Sequence, residues 1–301
     1  MIKIGNRNVE DIKLGELNVL QVFKGTNLVW EKKKVGPEEE DSGKFHIIGS
    51  FEEGTPPEKR YIYVNGTQYF LDENFDFKLD EPLEYAYHEV LGAEYFTSQY
   101  LKTLTFLDGI NSTNLRFMFN DCTKLTDISG LYEAIKDIEI TGIIQAFCKC
   151  SSLEEINLPD LNTKACTTLN SLFAQCSAVK YIDSANWDTS NVTEFRNLCS
   201  LCEELITLNI ANWDFSINNI FGDAFWNCSN LSTIIGPVYN IPISLNMKYC
   251  PLTADSAVVL INGLKYGVTG QTLTLNSTTY SQLSPDQKAI GTAKGWSIVS
   301  G

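Results

Sequence analysis

The chain has 301 residues, enough to bury a substantial core and, by length alone, to form about two domains of ordinary size. Its 23 Lys and Arg stand against 37 Asp and Glu, a formal net charge of -14 with a pI near 4.6, which argues against nucleic acid, whose phosphates are bound by clustered Lys and Arg. No run of 18 apolar residues occurs, so no membrane-spanning segment is expected.

The opening segment 1–30, MIKIGNRNVEDIKLGELNVLQVFKGTNLVW, superimposes on itself at a step of ten: Ile2, Ile12 and Val22 form one column, Gly5, Gly15 and Gly25 a second, Val9, Val19 and Val29 a third. A secretion signal needs a basic start, roughly 7 to 15 uninterrupted apolar residues and a small-residue cleavage site. Here Asn6, Arg7, Asn8, Glu10 and Asp11 follow at once. The expectation is a retained β unit over residues 1–30, with short strands, glycine turns and a need for a partner surface because it is too small to stand alone. Residues 31–43, EKKKVGPEEEDSG, combine cancelling charge runs with Gly and Pro and predict a solvated linker. Residues 44–94 predict a small β module or a cap for the region C-terminal to it, with a hairpin at Asn65-Gly66 between the alternating runs RYIYV and TQYFL.

From residue 95 to 250 one phrase recurs, F-x-x-C-x-x-L-x-x-I. It reads Phe119, Cys122, Leu125, Ile128; then Phe147, Cys150, Leu153, Ile156; then Phe173, Cys176, Val179, Ile182; then Cys199, Cys202, Leu205, Leu208; then Phe225, Cys228, Leu231, Ile234. An earlier copy is read at Tyr95, Ser98, Leu101 and Leu104, and a degenerate one at Met247 and Cys250. Cys150, Cys176, Cys202 and Cys228 are evenly spaced, and only the interval from Cys122 to Cys150 is longer. Six copies exceed the three or so that a stacked-repeat core requires. The segments LEEINL and LITLNI predict one short strand per copy, and stacking would line the equivalent cysteines of the copies up as an internal ladder of small hydrophobes rather than as disulfides or a metal site. A linear ladder offers no tetrahedral convergence, so zinc is not expected.

The segments LFAQCSAVKYIDSANWDTSNV (172–192) and LCEELITLNIANWDFS (201–216) resemble BspA-type leucine-rich repeats, in which an F-x-x-C-x-x-L run precedes the strand and a W-D-T-S-N-V turn follows it. The resemblance covers residues 95–301 or so. It implies an α/β to mainly β fold: a leucine-rich-repeat solenoid of about six 24–28-residue repeats over 95–250, preceded by small β modules and closed by a capping α/β segment over 251–301. Within that last segment CPLTADSAVVLINGL predicts a helix opened by Thr253, TLTL and WSIVS predict strands, and SPDQKAIGTAKG predicts a helix with Ser284 as N-cap, Pro285 in its first turn and Gln287 at the reciprocal capping position. The N-terminal segment 1–30 resembles segments of tailed-phage tail and fibre proteins.

Nothing in the sequence assembles into a catalytic constellation. The two histidines, His46 and His88, are isolated beside aromatic residues, and no nucleophile elbow, phosphate loop or zinc-protease motif occurs. No enzyme activity and no cofactor are expected. The outward positions of the repeat strands are the candidate partner-binding face: Lys102, Thr103 and Thr105; Glu154, Glu155 and Asn157; Lys180, Tyr181 and Asp183; Thr207 and Asn209; Ser232 and Thr233, with Trp226 as the aromatic to test first. Solvent-facing strand residues are polar in any case, so a merely wet face is the standing alternative. The expected function is non-catalytic adhesion: a phage virion tail-fibre or tail-tip protein whose repeat domain contacts a host-surface glycan or protein, while residues 1–30 dock onto other tail proteins. A bacterial cell-surface or secreted BspA-like adhesin and a tail-associated glycan depolymerase are the alternatives. A homo-oligomer is admitted; nucleic acid and membrane insertion are not.

Overall fold

The computed structural model describes residues 46–64, 67–78, 99–108, 110 and 112–301, together with strand segments 2–4, 7–9, 19–24, 27–28, 87–88 and 93–94. The glycine columns, the linker over 31–43, the Asn65-Gly66 turn, and Tyr95 and Ser98 lie outside the described residues.

The N-terminal strands β1 (Ile2–Ile4) and β2 (Arg7–Val9) pair antiparallel. Next, β3 (Val19–Lys24) pairs with β4 (Asn27–Leu28) on one side. After β5 (His46–Phe51) come β6 (Tyr61–Val64) and β7 (Thr67–Leu71), which pair antiparallel with Val64 opposite Thr67. The other side of β3 pairs with β7, giving a four-stranded sheet in the order β4-β3-β7-β6. Strand β8 (Asn74–Lys78) alternates buried Phe75 and Phe77 with exposed neighbours and pairs with β5. Short β9 (Tyr87–His88) and β10 (Ala93–Glu94) pair with each other. Strand β11 (Leu101–Asp108) completes a three-stranded antiparallel sheet in the order β11-β5-β8, burying Leu101, Leu104 and Phe106.

Helix α1 (Leu131–Ile135) comes next, entered through Gly130 at φ 78°, where a Cβ would stand 2.0 Å from the Phe106 carbonyl oxygen, so only glycine fits. Four three-residue strands, β12 (Glu155–Asn157), β13 (Tyr181–Asp183), β14 (Thr207–Asn209) and β15 (Thr233–Ile235), then form a parallel sheet in strict sequence order. The C-terminal region contains β16 (Leu245–Met247), α2 (Ala254–Gly263), β17 (Gln271–Leu275), α3 (Ser277–Gln282), α4 (Pro285–Ala293) and β18 (Trp296–Ser300), with a second parallel sheet β16-β17-β18. Ser284 and Gln287 make the reciprocal capping bonds at the start of α4. Buried side chains form one cluster from Ile47 to Trp296.

The expected leucine-rich-repeat solenoid is thereby corrected. The described chain is mixed α/β, with several small separate sheets and few helices, not one sheet running through six copies. Leu101 and Leu104, expected as the first repeat strand, are drawn into the antiparallel sheet with β5 and β8. Leu125–Ile128 forms no strand and lies beside β11 through the bridge of Thr103 to Asp127, with the Thr126 amide donating to the Lys102 carbonyl and the Leu104 amide to that of Asp127. Helix α1 occupies the longer interval between Cys122 and Cys150 and separates that copy from β12. Beyond β15 come Gly236 and Pro237, and a proline cannot donate to a further ladder.

Local stacking of copies is nevertheless regular. Ile156, Ile182, Leu208 and Ile234 share one buried cross-strand row. Phe119, Phe147 and Phe173 stack at centroid distances of 5.4 and 6.0 Å, and Trp187 and Trp213 at 6.0 Å. Each indole donates back to the preceding copy: Trp187 Nε1 to the Leu158 carbonyl at 2.6 Å and Trp213 Nε1 to that of Ser184 at 2.7 Å. All nine cysteines are free and buried. Six of them hydrogen-bond backward: Cys166 Sγ to Ile140 O at 3.1 Å and, among the cysteines of the phrase, Cys150 to Phe119 O, Cys176 to Phe147 O, Cys202 to Phe173 O, Cys228 to Cys199 O and Cys250 to Phe225 O, at 3.0 to 3.5 Å. The spacing of the F-x-x-C phrase thus has a physical reason. A thiol is the small apolar group that can also donate weakly to a buried carbonyl.

Candidate functional site

The parallel sheet places the expected face residues in three rows. Glu155, Tyr181, Thr207 and Thr233 are in register, as are Asn157, Asp183, Asn209 and Ile235. The third row carries Glu154, Lys180, Ile206 and Ser232. Some of the side chains on this face are engaged with one another. Lys180 Nζ donates to Glu154 Oε2 at 2.8 Å, which holds the Glu154 carboxyl below its ordinary range and the Lys180 ammonium above its own. The Tyr181 hydroxyl donates to Asp183 Oδ2 at 3.1 Å; burial and then that bond push its ionisation up. The Oδ1 atoms of Asp183 and Asn209 accept from the amides of Ala185 and Ala211. Lys102, Thr103 and Thr105 lie apart, on β11: Thr103 meets Ser50 at 2.8 Å and Thr105 donates to Asp127 Oδ2. The candidate face residues therefore lie in two patches on two sheets, one on β11 and one on β12 to β15 with the residues just before those strands.

A cleft of about 370 Å³ occupies the break, between Thr126–Tyr132 and Leu153–Leu158. Two of its three acidic groups are committed: Asp127 accepts from the Ser129 amide and hydroxyl and from Thr105, and Glu154 holds Lys180.

Trp226 belongs to neither patch. It ends a larger trough, of about 500 Å³, on the face formed by the F-x-x-C turns. In each copy the chain enters and leaves this turn through left-handed residues four apart: Phe117 and Asp121, Gln145 and Lys149, Ser171 and Gln175, Asn197 and Leu201, Asp223 and Asn227, with φ from 53° to 63°. None is glycine, at a cost of about 1–2 kcal/mol each. What offsets it is a second hydrogen-bonded ladder. The amides of Phe117, Phe119 and Asp121 donate to the carbonyls of Ile144, Ala146 and Cys148; those of Gln145, Phe147 and Lys149 to Asn170, Leu172 and Ala174. The pattern repeats from Ser171, Phe173 and Gln175 to Arg196, Leu198 and Ser200, and from Asn197, Cys199 and Leu201 to Gly222, Ala224 and Trp226, all at 2.7 to 3.1 Å. Intervening amides close i to i−3 turns, as Asn120 N does on Phe117 O.

One row of this ladder, Asn120, Cys148, Ala174, Ser200 and Trp226, runs along the trough, its members at equivalent positions of successive copies. The middle members are small, so they leave a channel closed at one end by the indole. Gln145, Ser171, Asn197 and Asp223, each five residues before a ladder cysteine, form a second row, and Lys149 and Gln175 a third. Lys149 is paired with Asp121 at 2.8 Å and Ser171 donates to Asn170. Among the described residues no partner is found for the side chains of Gln145, Gln175, Asn197 and Asp223. Trp226 is 43% exposed and meets Tyr249 edge to face at 6.5 Å.

The trough rows were open to sequence reasoning in one respect, the fixed offset from the cysteine. What hid them is that attention to strands places function on the sheet face, whereas the turns carry the unengaged side chains. Among the described residues no cluster of three or more His, Cys, Asp and Glu could hold a metal ion, and no helix is long and apolar enough to cross a membrane. His46 is tied to Asp76 at 2.8 Å.

Residues 113–237 match the family described as Mycoplasma protein of unknown function, DUF285. No curated protein matches the chain, and no solved structure does.

Proposed function

We propose that this chain is a non-catalytic binding protein of the BspA-like surface type, in which the stacked repeats engage a receptor on a cell surface. One observation carries the reading: the turn face presents a preformed polar trough with unengaged side chains and an exposed tryptophan, while on the sheet face Lys180 is paired with Glu154 and Tyr181 with Asp183. A rigid backbone with free amide side chains suits recognition, because little ordering entropy is lost on binding. The resemblance of residues 172–192 and 201–216 to BspA-type repeats supports a cell-surface setting. The resemblance of segment 1–30 to tailed-phage tail and fibre segments supports the phage-tail setting, with that segment docking onto a particle and the repeats facing outward.

The test is saturable binding of fluorescently labelled full-length chain to intact bacterial cells. Binding competed by unlabelled chain supports adhesion, and its absence on every strain tried overturns it. Deleting residues 1–30 distinguishes the settings: lost incorporation into phage particles with retained cell binding supports the tail reading, and unchanged incorporation rejects it.

A further inference from the structure

The trough also has features that narrow its ligand. Four successive copies each contribute one polar side chain from the same row, Gln145, Ser171, Asn197 or Asp223, while the equivalent position of the copy before them is Phe117, so polar groups recur along this part of the trough at about one strand spacing, near 4.8 Å. From Asn120 to Trp226 that makes a run of about 19 Å. An amide both donates and accepts, as does a sugar hydroxyl. Trp226 offers a flat apolar face with a polar edge, braced by Tyr249, whose ring in turn lies 4.8 Å from Lys248 Nζ.

We propose that the trough binds a linear carbohydrate chain lying along the stack, one sugar per copy, with a pyranose ring seated on Trp226. The inference rests on the adhesion reading above and deepens it. A peptide strand is the poorer occupant. Strand addition needs free main-chain donors and acceptors, and along the trough those groups are already consumed in the second ladder. A polyanion is poorer still, since the one ammonium lining the trough, that of Lys149, is paired with Asp121, and Asp223 adds a carboxylate. The hydroxyl-rich, uncharged surface of a neutral glycan meets both conditions.

The experiment is native affinity electrophoresis of the full-length chain in gels containing laminarin, dextran or polysaccharide extracted from bacterial cell walls. It is paired with binding to cells pretreated with periodate or protease. The expected result is retardation by at least one polysaccharide, weakened at least about tenfold by Trp226→Ala, partly kept by Trp226→Phe and weakened by Gln175→Ala combined with Asn197→Ala. Lys180→Ala, on the sheet face, changes nothing. Unaltered thermal midpoints show that the variants fold. Failure of all three polysaccharides to retard the chain, or retardation indifferent to Trp226→Ala, overturns the proposal. Cell binding that survives periodate but not protease also overturns it, while leaving adhesion standing. Retardation that depends on Trp226 without any cell binding upholds the carbohydrate site and overturns adhesion instead.

Discussion

At the scale of single residues the thiols set the alkaline limit of the fold. Burial raises the ionisation of Cys150, Cys176 and Cys199 well above the ordinary thiol value of 9.0, and pushes Cys166 to about 12. For Cys250 the hydrogen bond with Cys228 leads and burial follows. A thiolate would have to sit in the core, and would lose the S–H that reaches the carbonyl of the preceding copy. Folded-state values above the unfolded one mean that, past pH 9, the unfolded chain releases protons the folded chain keeps, so stability is complete below that pH and declines as pH rises toward 12. Each thiol contributes a slope of up to about 1.4 kcal/mol per pH unit. Urea midpoints measured from pH 7 to 11 should be flat to about 9 and then fall steeply. A Cys166→Ala variant should fall less steeply. The buried indoles give a second check. Trp187→Phe leaves the Leu158 carbonyl without its 2.6 Å donor and should lower stability by about 1–3 kcal/mol, whereas Trp226→Phe, on the surface, should shift the urea midpoint little.

At the scale of elements, the decisive event is how the parallel sheet stops. The Ile234 amide, which in an internal copy would continue the ladder, donates instead to Ser256 Oγ at 3.0 Å, and the Thr253 amide donates to the Ser232 carbonyl at 2.9 Å. Helix α2 thus brings its first turn to the last strand, with Thr253 capping the helix and contacting the same hydroxyl at 2.9 Å. Ser256→Ala should strand a buried amide and cost about 1–3 kcal/mol, more than the roughly 1 kcal/mol expected of an ordinary cap loss. Because Thr253 and Ser256 share one network, the double variant should cost less than the two single ones together, which a urea double-mutant cycle reads directly. The start of α4 was legible from Ser284, Pro285 and Gln287, since a capping box is a local rule. The break before β12 was not: α1 runs only from Leu131 to Ile135, too short for a helical period to show, and only the longer interval between Cys122 and Cys150 hints at extra chain. The recurring cysteines correctly announced aligned copies. Whether those copies share one sheet depends on long-range pairing, and the diversion of Leu101 and Leu104 to β5 leaves no trace in the repeat phrase.

At the scale of the whole molecule, net charge and trough chemistry make opposing demands on a ligand, and that opposition can be measured. A chain at -14 repels polyanions at long range and draws cations, so a ligand recognised through charge would bind with an affinity that falls or rises with ionic strength. A neutral glycan held by amides and an indole has no such term. The affinity of the full-length chain for the polysaccharide that retards it should therefore change less than about twofold between 50 mM and 500 mM NaCl, a range over which the Debye length shrinks from about 14 to about 4 Å. The one ion pair at the trough, Lys149 with Asp121, is half exposed and engaged, so its screening leaves the rows of amides untouched. A steep decline with salt, removed by Lys149→Ala, would identify an anionic ligand and relocate recognition from the indole to that ammonium. A steep rise, removed by Asp223→Asn, would instead point to a ligand whose negative charge the trough must tolerate. Flat titration curves for the unaltered chain, with the loss confined to Trp226→Ala, are what recognition through amides and an indole, rather than through Lys149 or Asp223, requires.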